Sequence, residues 1–191
     1  PSTLAVMERQ PCELHCIKCV MEAQAEGGGL GGFDGITPEQ EAELNAYDST
    51  AQFAKGTSVI GTDGSLFEYV LVLSAVAAYN AVCIDQDNNA SNLTTTNAAE
   101  NRKVAVAQIS IAVSTYGWVQ RMGKMGVNVA ANCQDFVALF TTATPGVLDD
   151  VTVSECMVLG LNTYSSTVTA SNVSALGAAP LQIFPLTTGV Q

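Results

Sequence analysis

In "PCELHCIKC", Cys12, Cys16 and Cys19 follow the spacing Cys-x3-Cys-x2-Cys, and the chain's single histidine, His15, lies among them. Three thiolates so placed can hold three irons of a four-iron cluster, and with His15 they form a soft donor set for zinc. One zinc centre is a poor match, because His15 adjoins Cys16 and zinc sites usually draw ligand pairs from separated segments. Positions 12, 16 and 19 are also i, i+4 and i+7, one face of a helix, and cysteine buries readily. The favoured reading is a packing stripe on a helix that docks against a neighbour, with metal binding or redox chemistry as alternatives. No catalytic, cofactor-binding or metal residue is assigned on this basis.

Other candidate chemistry is thinner. Asp85 and Asp87 in "IDQDNN", and Asp149 and Asp150 in "VLDDV", are carboxylate pairs that would suit calcium or acid–base work. "DQDNN" lacks the glycine and distal glutamate of a hand-type calcium loop, and both pairs read first as turn residues. A Ser-His-acid triad would need His15. Gly-x-Ser-x-Gly, His-Glu-x-x-His and phosphate-loop patterns are absent from the sequence. "YGWVQRMGKMG" sets the only tryptophan, Trp118, beside Arg121 and Lys124. That is a weak stacking platform for nucleic acid or sugar, and Trp118 reads better as core or subunit interface. The expectation is a protein that is not an enzyme.

These residues need elements to position them. Residues 1–55 read as an N-terminal arm with two short helices and a Gly-rich connector. The first helix spans about Glu8 to Ala25, with Pro11 near its start, where proline is tolerated. "EGGGLGGFDG" is the connector. The second helix begins with Thr37 as N-cap, Pro38 at the first helical position and Gln40 closing a capping box. Leu44, Tyr47 and Ala51 recur at helical spacing, and Gly56 is the stop. Residues 56–191 read as an all-β domain. "GSLFEYVLVLS", "AAYNAVCID", "RKVAVAQISIAV", "TYGWVQ", "GVNVAA", "FVALFTT", "CMVLGLNTYSS" and "LQIFPL" are short strand candidates separated by turn residues. No amphipathic helices are read between them, which disfavours a parallel βαβ sheet. The expected fold is all-β, an antiparallel β-sandwich or barrel with an N-terminal helical arm.

Composition limits the partners. The chain is 48% hydrophobic and only 13% charged, with a net charge of −11. So few charges suit a protein packed against copies of itself or a larger partner. The acidic balance argues against nucleic acid. The most apolar run, "LFEYVLVLSAVAAYNAV", contains Glu68 and is too β-branched to span a bilayer as a helix, so no membrane partner is expected. Six cysteines are present, and the opening Pro1-Ser2-Thr3 begins no export-like segment, so Cys83, Cys133 and Cys156 are expected as small core residues rather than a disulfide framework. The sequons at Asn89, Asn92 and Asn172 are expected to be incidental.

"GTDGSLFEYV", "AYNAVCID", "VAVAQ", "YGWVQ" and "LFTTATPGVLDD" together resemble small structural proteins of tailed bacteriophages, in particular capsid decoration, or cement, proteins. The resemblance covers roughly Gly56 to Val190. It implies an all-β domain on the outer capsid surface of the virion, assembled in the host cytoplasm. It also implies an oligomer, with a trimer favoured, whose partner is the major capsid protein and whose work is to bridge capsid subunits. It carries no site residues. Residues 1–55 do not match that pattern. Alternatives are a head-fibre, collar or tail component or, in a different class, a small metal-binding module built on the N-terminal cysteines.

Overall fold

Two short segments set the architecture, because neither has a solvent face. Ala81–Ile84 is buried at every position, and Val104–Ala107 likewise. Successive side chains of a strand point to opposite sides, so each segment must have a core on both sides of it. In a computed structural model, which describes residues 47–61, 63–100, 102–151, 156–164 and 171–185, both cores are present.

The strands are β1 (Tyr47–Asp48), β2 (Ser58–Ile60), β3 (Leu66–Val72), β4 (Ala81–Ile84), β5 (Asn89–Asn92), β6 (Lys103–Val106), β7 (Tyr116–Val129), β8 (Ala138–Thr141), β9 (Leu148–Asp149), β10 (Cys156–Thr163) and β11 (Ser171–Pro185). One short helix, α1 (Thr95–Ala98), follows β5, with Thr94 and Asn97 forming a reciprocal capping box. Among the described residues, all strand pairings are antiparallel except β3–β5 and β7–β9.

β7 holds the structure together. Its first half pairs with β3, from Tyr116↔Leu71 to Met122↔Leu66, and its second half pairs with β11, from Gly123↔Gly177 to Val129↔Ser171. The pairings close into two circuits that share this strand. One runs β7–β3–β5–β4–β6 and returns to β7 through Val106↔Gln120. The other runs β7–β9–β8–β10–β11 and returns to β7. Closed circuits leave fewer free strand edges than an open sheet would.

Each circuit encloses its own core. Val70, Val72, Val82, Ile84, Ala90, Ala105, Ala107, Ile111 and Val119 fill the first. Met125, Val127, Leu139, Leu148, Val158, Leu161, Val173 and Leu181 fill the second, with Cys83, Cys133 and Cys156 buried among them. β4 and β6, with the adjoining Ala107, serve both: Val82, Ile84, Ala105 and Ala107 face the first core, whereas Ala81, Cys83, Val104 and Val106 face the second. These two strands are the wall between the cores.

β7 passes from one circuit to the other at Gly123, which has φ +100; a Cβ there would lie 2.2 Å from Ser65 Oγ. Glycine meets both demands. Two side-chain amides tie the strands together, one of them through backbone groups. Gln108 Nε2 donates to Gly126 O (3.2 Å) while its Oε1 accepts from Gly126 N (3.0 Å), so a side-chain amide stands in for a strand neighbour. Asn80 donates to Asn92 Oδ1 (2.9 Å) and accepts from Asn128 Nδ2 (2.8 Å), joining the entry of β4 to β5 and β7.

A third apolar cluster lies outside the first circuit. Tyr69 and Trp118 face away from the core and are covered by Phe53, whose ring centroid is 5.3 Å from each. The Tyr69 hydroxyl donates to Asp48 Oδ2 (3.0 Å) and accepts from Gln52 N (3.2 Å), and burial pushes its pKa up to about 12.

The strand-rich fold agrees with the all-β expectation, and the helices expected in the N-terminal arm, with Cys12, Cys16 and Cys19, fall outside the described residues. Two expectations are corrected. The helix expected up to Gly56 is absent from Tyr47 onward: Tyr47–Asp48 pairs with β7 as a strand, and Phe53 anchors the following loop on the aromatic cluster. "TYGWVQ" and "GVNVAA" are not separate strands but the two halves of β7.

Because the wall is common, the two cores should unfold together. Leu161→Ala removes a side chain buried in the second core and should cost about 2–5 kcal/mol. Trp118, on the far side of the first circuit, is the only tryptophan. Its fluorescence in urea should report that full loss in one transition. An unshifted Trp118 transition would mean that the circuits unfold independently.

Candidate functional site

Of the carboxylate pairs singled out in the sequence, Asp85 and Asp87 fall in the β4–β5 turn, whereas Asp149 is the second residue of strand β9 and Asp150 follows it, so the turn expectation is corrected for Asp149. Asp85 Oδ1 accepts from Asp87 N (2.8 Å) and Asn89 N (2.9 Å), and Oδ2 accepts from Asn89 Nδ2 (3.0 Å). Burial opposes ionisation, but these donors and the Arg102 charge outweigh it and hold the carboxyl below its ordinary range. Asp85 thus closes the β4–β5 turn on itself, with its oxygens already engaged. Asp149 and Asp150 follow a different logic. Asp150 N donates to Asp149 Oδ1 (2.8 Å), and Asp150 Oδ2 accepts from Gln134 N (2.9 Å). Burial first, and the adjoining Asp150 side chain second, push the Asp149 carboxyl above its ordinary value. The same two acids, after burial, raise the Cys133 thiol to about 11, so it stays protonated and unreactive at neutral pH. Among the described residues, no three His, Cys, Asp or Glu side chains gather in a way that could hold a metal.

Trp118, Arg121 and Lys124 do not form a platform. Trp118 lies under Phe53, Arg121 is largely buried, and Lys124 is exposed. Arg121 reaches the residue that sequence reasoning passed over, Glu68. This carboxylate is 2% exposed, inside a strand of otherwise apolar and aromatic residues. Arg121 Nη1 donates to Glu68 Oε2 (3.0 Å), and Lys103 Nζ donates to Oε1. Arg121 Nη2 also reaches Leu181 O (3.4 Å) on β11, while its buried Nε has no hydrogen-bond partner among the described residues. Glu68 on β3, Lys103 on β6 and Arg121 on β7 therefore form an ion triad where the two circuits meet. A lone glutamate in "LFEYVLV" was the available signal, since a buried carboxylate requires cationic partners.

Beside Lys103, a groove of about 500 Å³ is lined by Ile84, Asp85, Gln86, Asp87, Glu100, Arg102 and Lys103. Its charges are largely engaged with one another: Arg102 pairs with Glu100, and Lys103 with Glu68. It holds neither an exposed nucleophile–base pair nor a convergent set of acids.

The more distinctive surface is apolar. Phe136 is 72% exposed with φ +57, a conformation unusual for a bulky residue. Its ring meets that of half-exposed Tyr164 edge-on, with centroids 6.1 Å apart. These two residues flank β8 and β10 on the second circuit. On the first circuit, Leu73 and Val113 are each more than half exposed near the start of β7. The β2 edge adds Ile60, and β1 adds Tyr47.

No protein-family model matches this chain, and no curated protein matches it either. Among the described residues, no helix is long and apolar enough to cross a membrane.

Asp149 offers a pH test. Its folded-state pKa is raised, so its protonated form is favoured by folding, and that contribution is lost as pH rises through the folded pKa. Asp149→Asn keeps the oxygen that accepts Asp150 N–H and cannot ionise. The variant should be more thermostable than the parent at pH 7, and the difference should vanish in acid, where Asp149 is protonated folded or unfolded. Equal melting at pH 7 would show that the charge costs nothing there.

Proposed function

We propose that this protein is a virion structural protein that decorates the outer surface of a bacteriophage capsid and stabilises it by bridging capsid subunits. The observation that carries this reading is the placement of exposed apolar side chains on both halves of a body whose two cores share a wall. Leu73 and Val113 lie on the first circuit, Phe136 and Tyr164 on the second. β7, at 14 residues, joins the halves over at most about 45 Å. A body of that kind can touch two neighbours at once and hold their spacing. The low charge content and the phage-like phrases between Gly56 and Val190 support the same conclusion.

The mechanism is differential burial. Contacts that exist only in the assembled shell lower the free energy of that state alone, by about 25 cal/mol for each Å² of apolar surface removed from water, less the cost of ordering the attached segments. Each contact can be weak. Once one is made, the others form at high effective concentration, and an N-terminal arm behind a Gly-rich connector would add a further point of attachment. Association of the protein with itself, as a trimer or another oligomer, would multiply the contacts again.

The test is sedimentation of purified protein with undecorated shells of the phage that encodes it, followed by counting bound copies. Saturable binding in hundreds of copies is expected, weakened at least tenfold by combining Leu73→Asp with Phe136→Asp and weakened also by deleting residues 1–32. A few copies at a single vertex would assign the protein instead to the collar, head fibre or tail. No binding by the folded, intact chain would overturn the proposal. Full binding by the truncated chain would remove the arm from it.

A further inference from the structure

Asn88 Oδ1 accepts a hydrogen bond from Lys103 Nζ at 2.9 Å, and the same Nζ donates to Glu68 Oε1. An amine, a carboxamide and a carboxylate thus meet at one point. The surroundings hold each of them. Glu68 is almost wholly buried, and Arg121 occupies its other oxygen, which leaves Oε1 directed at Nζ. Asn88 sits in the β4–β5 turn at φ +56, with its N–H bonded to Asp85 O (3.1 Å) and its carbonyl to Leu71 N (3.3 Å). Its side chain lies against the backbone of Lys55 and Gly56. Nδ2 donates to Lys55 O (3.5 Å), and a Cβ on Gly56 would lie 2.6 Å from Nδ2 and 2.9 Å from Cγ. Only glycine leaves room for the carboxamide there.

We propose that Lys103 and Asn88 become joined by an intramolecular amide bond, with Glu68 as the proton carrier. The reaction balances without any oxidant, reductant or further reactant. The Glu68 carboxylate takes a proton from the Lys103 ammonium. After the carboxamide turns about its Cβ–Cγ bond, the freed Nζ lone pair attacks Asn88 Cγ, and the C=O π pair moves onto Oδ1. Glu68 returns its proton to Nδ2. The C=O re-forms, the Cγ–Nδ2 bond breaks and ammonia departs. The excess proton on Nζ passes back through Glu68 to the ammonia, which leaves as ammonium. The products are one Nζ–Cγ amide and one ammonium ion, and Glu68 is a carboxylate again. Proximity favours the reaction: the groups are already in contact, so a bimolecular aminolysis becomes a unimolecular step.

The consequence is structural. The bond would lock the β4–β5 turn to the first residue of β6, closing a loop on the wall between the two cores, and would constrain the unfolded chain as other cross-links do. This inference does not depend on the capsid reading.

Intact-mass spectrometry of the purified, folded chain tests it. The parent should weigh one ammonia less than its sequence requires, and fragmentation should yield a branched peptide joining Asn88 to Lys103. Lys103→Arg, which retains the charge beside Glu68, and Asn88→Gly, which suits the positive φ, should both fold by circular dichroism, weigh their full sequence mass and melt lower than the parent. Folded Glu68→Gln should also retain full mass. A parent at full mass after prolonged incubation overturns the proposal. So does ammonia loss that survives Lys103→Arg, because that would mark a succinimide at Asn88 rather than a bond to lysine.

Discussion

A two-stranded wall with no solvent face is the constraint on which the rest of this structure depends. β4 and β6 send alternate side chains into two cores, so neither core can be displaced without uncovering one face of the wall. This explains the small side chains there. Ala81, Cys83, Ala105 and Ala107 let the strands approach packing layers on either side, and volume changes at such positions are poorly tolerated at native packing density. It also explains the length of β7. A strand that closes both circuits must traverse both, and it can do so only where Gly123 allows it past Ser65.

Polar groups enter this apolar framework where the circuits meet. There the sheet changes partners, and a strand's own neighbours no longer satisfy every group. Gln108 supplies a donor and an acceptor to Gly126, and Asn80, Asn92 and Asn128 supply a chain of amides at the foot of the wall. Glu68, Arg121 and Lys103 do the same with charge. A buried ion group gains little net stability over an apolar one, yet losing one member is costly because the remainder stays buried and uncompensated. Such a group therefore fixes which strands lie side by side more than it adds stability.

Part of this was legible in the sequence, and the failures have physical causes. The turn residues and β-branched runs between Gly56 and Val190 identify an all-β domain, and β3, β4, β8 and β10 fall within the strands expected. "RKVAVAQISIAV" reads as one strand, but β6 ends at Val106. Its valines and alanines alternate without marking an inside and an outside, and both parities of Val104–Ala107 are buried. β5 escapes because it is short and polar, and β9 because it has only two residues; both are held by pairings with distant strands. Tyr47 recurs at helical spacing with Leu44 and Ala51, but tertiary contacts override that pattern: the β7 edge and the Tyr69–Trp118 surface take Tyr47–Asp48 and Phe53. Asp85 lies in a turn, as its sequence implies, whereas Asp149 belongs to the two-residue strand β9 through its pairing with Phe140. Glu68 was noticed only as an objection to a membrane span, although a glutamate flanked by apolar and aromatic strand residues implies a cation from another strand. Which cation depends on topology, which the sequence did not specify.

Concave sites form where elements meet and polar groups converge on open space. Here the meeting place of the two circuits is filled: the polar groups converge on one another, and the groove beside them is lined by charges that are largely paired. On the outside, the apolar side chains of Leu73, Val113, Phe136 and Tyr164 and the edge at Ile60 are left exposed. Holding Phe136 at positive φ while its ring is exposed costs conformational energy that its edge-on contact with Tyr164 only partly returns. Among the described residues the interior is thus filled, and the strained aromatic stands on the surface.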